Sequence, residues 1–481
     1  MTAAGNLGRA LRVGAGAGFA GLLVFAPLHF GSTRAGGPGI VALGCAAATL
    51  LWVASLALAR RRPHVPAAAV LAVALLVLAA LPWITGLAQP TPVAPFTQAH
   101  FERVAARWPS SIVWRTPGNT LALTLALAAS VLALTDLARG RAWALTFALA
   151  LTATAAAVGL LALLQNHTHA TGIYWRNDGR MPGNFCGTFF HHTSAGAYFN
   201  TAWPPALALA CLAWNRRAPV LAIPSTLAVI LLLAAHGSHV SRFPQVAALV
   251  VAPFLLVGLK IKFRGPRTVW IVAAGAAAVV ALVALAGRTD TIGARWQLLF
   301  AAPRSAAAAP VNPPESAWPA LVRDDLLIPG ASRSGWFGDR GEGWRTALRA
   351  IAARPLTGHG PGNWMGAASR HSDDPFVRTF YQFLQFAHQD PLQTAVEWGV
   401  PAALAAWALP AVALLAVLRA RRWCSPLHRA LALSAACALA ALLLQAQLDF
   451  PLQMPAIALN AAALAALCLA GVRAAAPRSA A

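Results

Sequence analysis

A histidine next to a helix start is the most chemically suggestive feature of this sequence. In AHQDPLQTAVEWG (387–399), Pro391 follows Asp390 directly and Gln393 stands three residues after it. That order predicts Asp390 as an N-cap, Pro391 at the first helical position and Gln393 as the capping-box partner. The helix is expected to run on into a membrane span. His388 then sits just outside a helix N-terminus, where partial positive charge and free N–H groups favour an anion such as phosphate. Histidine titrates near neutrality and suits general acid–base work. A structural histidine beside a helix cap would look the same from sequence.

Four further segments hold polar groups of the right type. HGSHVSR (236–242) ends on Arg242, an arginine in a very short loop. Its planar fork of donors matches a phosphate; the bland alternative is a side chain snorkelling at a membrane boundary. WRNDGRMPGNFCGTFFHHTSAGAYFN (175–200) carries Arg176, Arg180, His191 and His192. The paired histidines invite a metal, but adjacent residues on a helix diverge and no acidic ligand lies close by, so none is expected. TGHGPGNW (357–364) places Gly358, Gly360 and Gly362 within five residues, which permits tight turns and close backbone approach to a ligand. It lacks the Gly-Lys-Ser/Thr ending of a P-loop and reads first as a turn between two amphipathic helices. In LDFPLQMP (448–455), Asp449 is either a partner for an arginine or a turn cap before Pro451.

The elements that must position these groups are membrane spans. The chain has 481 residues, of which 58% are hydrophobic and 11% charged, with a mean hydropathy of +0.61. A soluble domain carries roughly 25% charge. Apolar runs recur at lengths able to cross a ~30 Å hydrocarbon core. Twelve spans are expected, near 14–31, 38–59, 66–86, 118–138, 142–164, 193–214, 218–236, 243–261, 268–286, 397–418, 428–447 and 452–472. The fold class is therefore an all-α polytopic membrane protein. Its divisions are nine spans in 1–286, a large loop in 287–396, and three spans plus a cytoplasmic tail in 397–481.

The net charge of +23 does not point to nucleic acid. Much of it falls in short clusters at span ends: Arg60–Arg62, Arg139 with Arg141, Arg216 with Arg217, Lys260 with Lys262, and Arg421 with Arg422. That is the positive-inside pattern. On that map the clusters set orientation and need no partner. Both termini fall in the cytoplasm, and the polar segments fall outside. Of 14 acidic residues only Asp136 lies inside, and of 13 histidines only His64 and His428 do. One cysteine of six, Cys186, sits in an external loop, so no external intramolecular disulfide is expected.

The loop 287–396 is too long to be structureless. AAPRSAAAAPVNPPESAWP (301–319) has low complexity. Farther on, Trp344, Ala347, Leu348 and Ile351 share one helical face, as do Phe376, Phe380, Phe383 and Leu384. Such helices either lie against the membrane or the bundle, or form a small core of their own.

The five segments, in this order, resemble the O-antigen ligase and O-antigen polymerase superfamily. GTFFHHTSAGAYF (187–199) looks like its Gly-x-Phe…Asn…Ala-x-Tyr lead into a span, and Ser241–Arg242 like its Ser-Arg pair. PLTGHGPGNW (355–364) is similar to its Pro-x-x-Gly-x-Gly turn, AHQDPLQTAVEWG to its His-Asn-x-x-Leu-Gln…Glu-x-Gly motif, and LDFPLQMP to its late Asp-Phe-Pro turn. Gln389 replaces the usual Asn, and His192 or Thr193 stands near another. The resemblance implies a membrane glycosyltransferase of the lipid-phosphosugar-using type, in a bacterial inner membrane with the site facing the periplasm. It would move a glycan from undecaprenyl pyrophosphate to an acceptor: lipid A–core in ligases, another glycan in polymerases, a protein hydroxyl in some relatives. His388 then matches the catalytic histidine. Arg242 matches one pyrophosphate-binding arginine, and Arg180 or Arg176 the second, Arg180 being nearer the span. Gly358, Gly360, Asp390 and Asp449 support the site. No cofactor, metal or nucleic acid is expected, and membrane lipid is the surrounding partner. The ligase reading leads, with an O-antigen or exopolysaccharide polymerase as the alternative. A polysaccharide transporter or flippase would place charge within spans, whereas here the spans are almost free of it.

Overall fold

A computed structural model describes residues 3–34, 36–89, 117–176, 185–260, 266–287, 340–373 and 386–472. Arg180, the low-complexity stretch 301–319 and the 376–384 aromatic face lie outside the described residues.

Among the described residues, nine helices come first: α1 (Ala3–Leu28), α2 (Gly37–Leu58), α3 (Ala67–Ile84), α4 (Pro117–Ala138), α5 (Arg141–His167), α6 (His192–Asn215), α7 (Pro219–Ser238), α8 (Arg242–Gly258) and α9 (Pro266–Leu285). Between α9 and the last three helices, the described residues hold α10 (Arg340–Ala353), α11 (Trp364–His371) and α12 (Asp390–Trp398). The chain closes with α13 (Val400–Leu418), α14 (Pro426–Ala446) and α15 (Pro455–Gly471). Each of the twelve expected spans coincides with a helix. The first helix begins at Ala3, so Arg9 and Arg12 lie on it rather than ahead of it. Proline stands in the first turn of α2, α7, α13, α14 and α15, where the missing N–H costs nothing.

By length and apolarity alone, eight helices among the described residues can cross a membrane: α1 to α5, α7, α13 and α14. Of the other four, α8 and α15 are shorter, and α9 enters this comparison only over Ala273–Leu285. The fourth, α6, is long but carries His192, Thr193, Ser194, Asn200 and Thr201. All but the half-buried His192 are buried, and Asn200 and Thr201 are bonded. Asn200 Nδ2 donates to the Pro244 carbonyl at 2.9 Å, Trp203 Nε1 to Asn200 Oδ1 at 3.1 Å, and Asn460 Nδ2 to Thr201 Oγ at 2.8 Å. Nearly every residue of α15 is buried, because α1, α4, α6, α13 and α14 surround it. Its alanines let those neighbours approach closely. Outward, Leu43, Leu71, Leu249, Phe254 and Leu404 are exposed, as a lipid-facing surface requires.

The end of the bundle opposite His388 departs from expectation in one respect. Its basic residues are not all there for orientation alone. Asp136, buried on α4, accepts from Arg12 Nη1 at 2.5 Å, Arg61 Nη2 at 2.9 Å, Trp52 Nε1 at 2.9 Å and the His64 N–H at 2.8 Å. A buried carboxylate needs such partners, and this one ties α1, α2 and α4 together.

The helices α10 and α11 join α12 in a small separate core. Ala347, Ala350, Trp364, Ala367, Ala368, Ala387 and Val396 pack together there. Of the face expected on α10, Ala347 is buried, but Leu348 is 57% exposed. Trp83 of α3 anchors this unit to the bundle by donating to the Thr357 carbonyl at 3.0 Å.

Candidate active site

The helix after His388 is short because Gly399 stops it. With φ +83° and ψ 163°, Gly399 separates α12 from α13, so the expected continuous helix into span ten is in fact two helices. The cap also differs from expectation. Gln389 occupies the N-cap position and makes no side-chain cap bond, while Asp390 is the first helical residue. The Asp390 carboxylate accepts instead from the Leu452 N–H at 2.8 Å and from Gln453 Nε2 at 2.7 Å. Gln393 Oε1 reaches back to the Ala387 N–H at 3.1 Å, not to Asp390. Asp390 therefore clamps α12 to the 449–453 turn.

That clamp brings His388 to Asp449. His388 Nδ1 lies 3.7 Å from Asp449 Oδ1, with the histidine side chain 29% exposed and the aspartate 3%. Asp449 Oδ1 also accepts from the Phe450 N–H at 3.0 Å, as a turn cap would, while its charged neighbour among the described residues is His388 rather than the expected arginine. Burial pushes the Asp449 carboxyl up, but His388, Arg340 and His191 outweigh it and hold it below the ordinary carboxylate range. His388 itself has φ +52°, an uncommon conformation for a residue with a Cβ, of the kind stored at functional sites. Trp344 of α10 braces it, its Nε1 3.5 Å from the His388 carbonyl.

Phe450 is the hub of the site. Its ring stacks on Phe386 at 4.0 Å, meets His388 edge-on at 5.0 Å and lies 5.9 Å from His191. His191 and His192 do not diverge, because His191 is the extended N-cap of α6 rather than a helical residue. Their rings stack at 4.6 Å. Among the described residues no group of three His, Cys, Asp or Glu could hold a metal.

Arg242 opens α8, and the loop before it is pinned at several points. The Pro244 carbonyl accepts from both Asn200 and, at 3.1 Å, His236 Nε2. The Ser241 N–H donates to His239 Nδ1 at 3.2 Å, and Gln245 Nε2 donates to the carbonyls of His236 and His239, each at 3.1 Å. Helix α6 can reach this loop only because residue 196 is glycine. A Cβ there would stand 2.6 Å from Pro244 Cγ and 2.7 Å from His239 Nε2.

The glycine turn approaches backbone, not open space for a ligand. The His359 and Gly360 N–H groups donate to the Val396 and Glu397 carbonyls at 2.8 and 2.9 Å, and the Gly362 N–H donates to Glu397 Oε2 at 2.6 Å. Gly358 has φ +71°, and a Cβ on it would meet the Gly399 nitrogen at 2.5 Å. Gly358 and Gly360 thus grip the end of α12 and support His388 from behind.

Arg340 is the site residue that sequence reading missed. It starts α10, its guanidinium lies 4.9 Å from the Phe243 ring, and its charge acts on Asp449. It therefore links the Arg242 end of α8 to the His388–Asp449 pair. It lies between the low-complexity stretch 301–319 and the helical face that begins at Trp344. The available signal was its i, i+4 spacing to Trp344, which puts both on one face. Arg176 is exposed after the turn at Ile173–Trp175. Its charge acts on Tyr174, and no described hydrogen bond or ion pair joins it to the His388 cluster.

Residues 206–408 match the family model described as O-Antigen ligase. That stretch contains Arg242, Arg340 and His388; Asp449 and His191 lie beyond it. No curated protein matches the chain.

Proposed function

The chain belongs to the O-antigen ligase superfamily, and on that premise we propose that it transfers a glycan from a polyprenyl pyrophosphate to an acceptor hydroxyl at the outer face of a bacterial inner membrane. The observation that carries this reading is the His388–Asp449 pair, its histidine 29% exposed and its aspartate acted on by Arg340 and His191, with Arg340 also lying over Phe243 next to Arg242.

The chemistry follows from those groups. With its Nδ1 facing the Asp449 carboxylate, His388 is oriented to keep Nε2 unprotonated and available as a base. The 3.7 Å separation is of the kind that tightens when substrate binds. The acceptor hydroxyl gives its proton to His388 as its oxygen attacks the anomeric carbon. The bond from that carbon to the phosphate oxygen breaks, and the lipid pyrophosphate leaves with one additional negative charge. Arg242 and Arg340 meet that charge with planar donor forks, and Arg180 or Arg176 supplies a further one. Pyrophosphate is a good leaving group, so neither a protein nucleophile nor a metal is needed. One displacement inverts the anomeric carbon. Transfer to lipid A–core, as in a ligase, is the first choice of acceptor, and transfer to another glycan, as in a polymerase, uses the same groups.

Purified protein supplied with a lipid pyrophosphate-linked glycan and an acceptor tests this reading. The product linkage, read by NMR, is expected to be inverted, and turnover is expected to survive a chelator. Retention of configuration, or strict metal dependence, would overturn the mechanism.

A further inference from the structure

At the end of the bundle opposite His388 lies a cavity of about 590 Å³ between α6, α8 and α14, lined by Arg421, Arg422 and Arg429. The basic clusters at this end differ in how they are used. Arg12 and Arg61 are neutralised by Asp136, and Arg139 donates to the Val472 carbonyl at 2.7 Å. Arg421 and Arg422 have no carboxylate beside them among the described residues. Arg429 spends one Nη2 bond on the Gly258 carbonyl at 3.1 Å, which holds its guanidinium in the cavity wall. The first turn of α14, at Ser425 and Pro426, also lines the cavity and adds the positive end of a helix.

Apart from Asn215, the remaining wall is mostly apolar. Leu212, Leu259 and Leu433 face the cavity half-buried, and Trp423 stands at its rim. Orientation needs basic residues at span ends, but not a concavity with an apolar wall. A free phosphate would use the arginines and leave the leucines uncovered. A lipid with an anionic phosphodiester uses both, its headgroup on the guanidinium forks and an acyl chain along the leucines.

We propose that this cavity is a binding site for the headgroup of an anionic phospholipid, separate from the transfer site.

Native mass spectrometry of the delipidated full chain in neutral detergent tests this, with phosphatidylglycerol, phosphatidylcholine or inorganic phosphate added. Phosphatidylglycerol is expected to be retained and to raise the melting temperature, while phosphatidylcholine and millimolar inorganic phosphate are not. The double variant Arg421→Gln/Arg422→Gln should bind phosphatidylglycerol roughly 30-fold more weakly, at about fivefold per arginine. Arg429 is left intact because its bond to Gly258 supports the fold. The control Arg60→Gln/Arg62→Gln, in another basic cluster at this end, should bind as the wild type does. Equal retention of phosphatidylcholine, unchanged affinity in the Arg421→Gln/Arg422→Gln variant, or saturable inorganic phosphate in place of lipid would each overturn the proposal.

Discussion

Replacing Gly196 by alanine tests whether the packing of α6 against the 236–245 loop sets the position of Arg242. The added Cβ would lie 2.6 Å from Pro244 Cγ, about 0.8 Å short of the 3.4 Å at which ordinary contact begins. The nearest atoms belong to a proline ring and to His239, whose Nε2 is 3.4 Å from His236 Nδ1, so neither is a flexible chain end. Two effects oppose each other. Alanine favours the helix by up to ~1 kcal/mol, while overpacking costs ~1–3 kcal/mol. The net loss of stability is then small, on the order of 1 kcal/mol. Activity is more sensitive, since a displacement near 1 Å in a positioning loop can cost about 10²-fold. Gly196→Ala should therefore melt within a few degrees of the wild type yet transfer glycan roughly 10–100-fold more slowly. Gly21→Ala on α1, where a Cβ meets nothing within 4 Å, should leave transfer unchanged. Wild-type transfer by Gly196→Ala, or loss of transfer only in step with unfolding, would refute the reasoning.

The remaining predictions concern charge and orientation. Because the Asp449 carboxyl is held below its ordinary range, the stability it contributes is present above about pH 4 and is lost as pH falls through the lower folded-state value. The wild-type melting temperature should drop in that acid window and that of Asp449→Asn should drop less; parallel curves would count against the pairing. Arg242→Lys and Arg340→Lys keep the charge but lose the fork, so transfer should fall by roughly 10-fold or more, the worth of a charged hydrogen bond. Membrane insertion should be unaffected, and wild-type rates in either variant would remove that arginine from the site. A reporter active only outside the cytoplasm should work when fused near Gly330 and fail near Arg217 or Arg421. The reverse pattern would invert the whole arrangement.

The helices of the bundle were legible because hydropathy reports directly on apolar runs long enough to form them. Residues 193–214 could be read as a span despite their polar groups, but not why those groups are tolerated, since Asn200 and Thr201 find partners on α8 and α15. The site motifs were legible one by one, as His388, Arg242 and Asp449. Their assembly was not, because it depends on Asp390 gripping residues 452–453 rather than capping its own helix. Local spacing favours the cap, and only the tertiary structure supplies the Leu452 N–H and Gln453 as competing donors. Arg340 was hidden for a similar reason, since its role rests on Phe243 and Asp449, each about a hundred residues away in sequence. The glycine segment read first as a turn between two amphipathic helices and does join α10 to α11, but glycine permits close approach without naming what approaches. Here it is the backbone of residues 397–399.

The central claim is that His388 takes a proton from the acceptor hydroxyl, and His388→Ala in the purified transfer assay tests it most directly. The variant should insert and melt much as the wild type does, since the His388 ring is partly exposed and the bond from Trp344 goes to its backbone. Transfer should fall by about 10²–10⁴-fold, the usual worth of general-base help. His359→Ala and His371→Ala, whose rings pack against each other at 4.9 Å in the small core region, should cost less. A folded His388→Ala variant that transfers glycan at the wild-type rate would contradict the account.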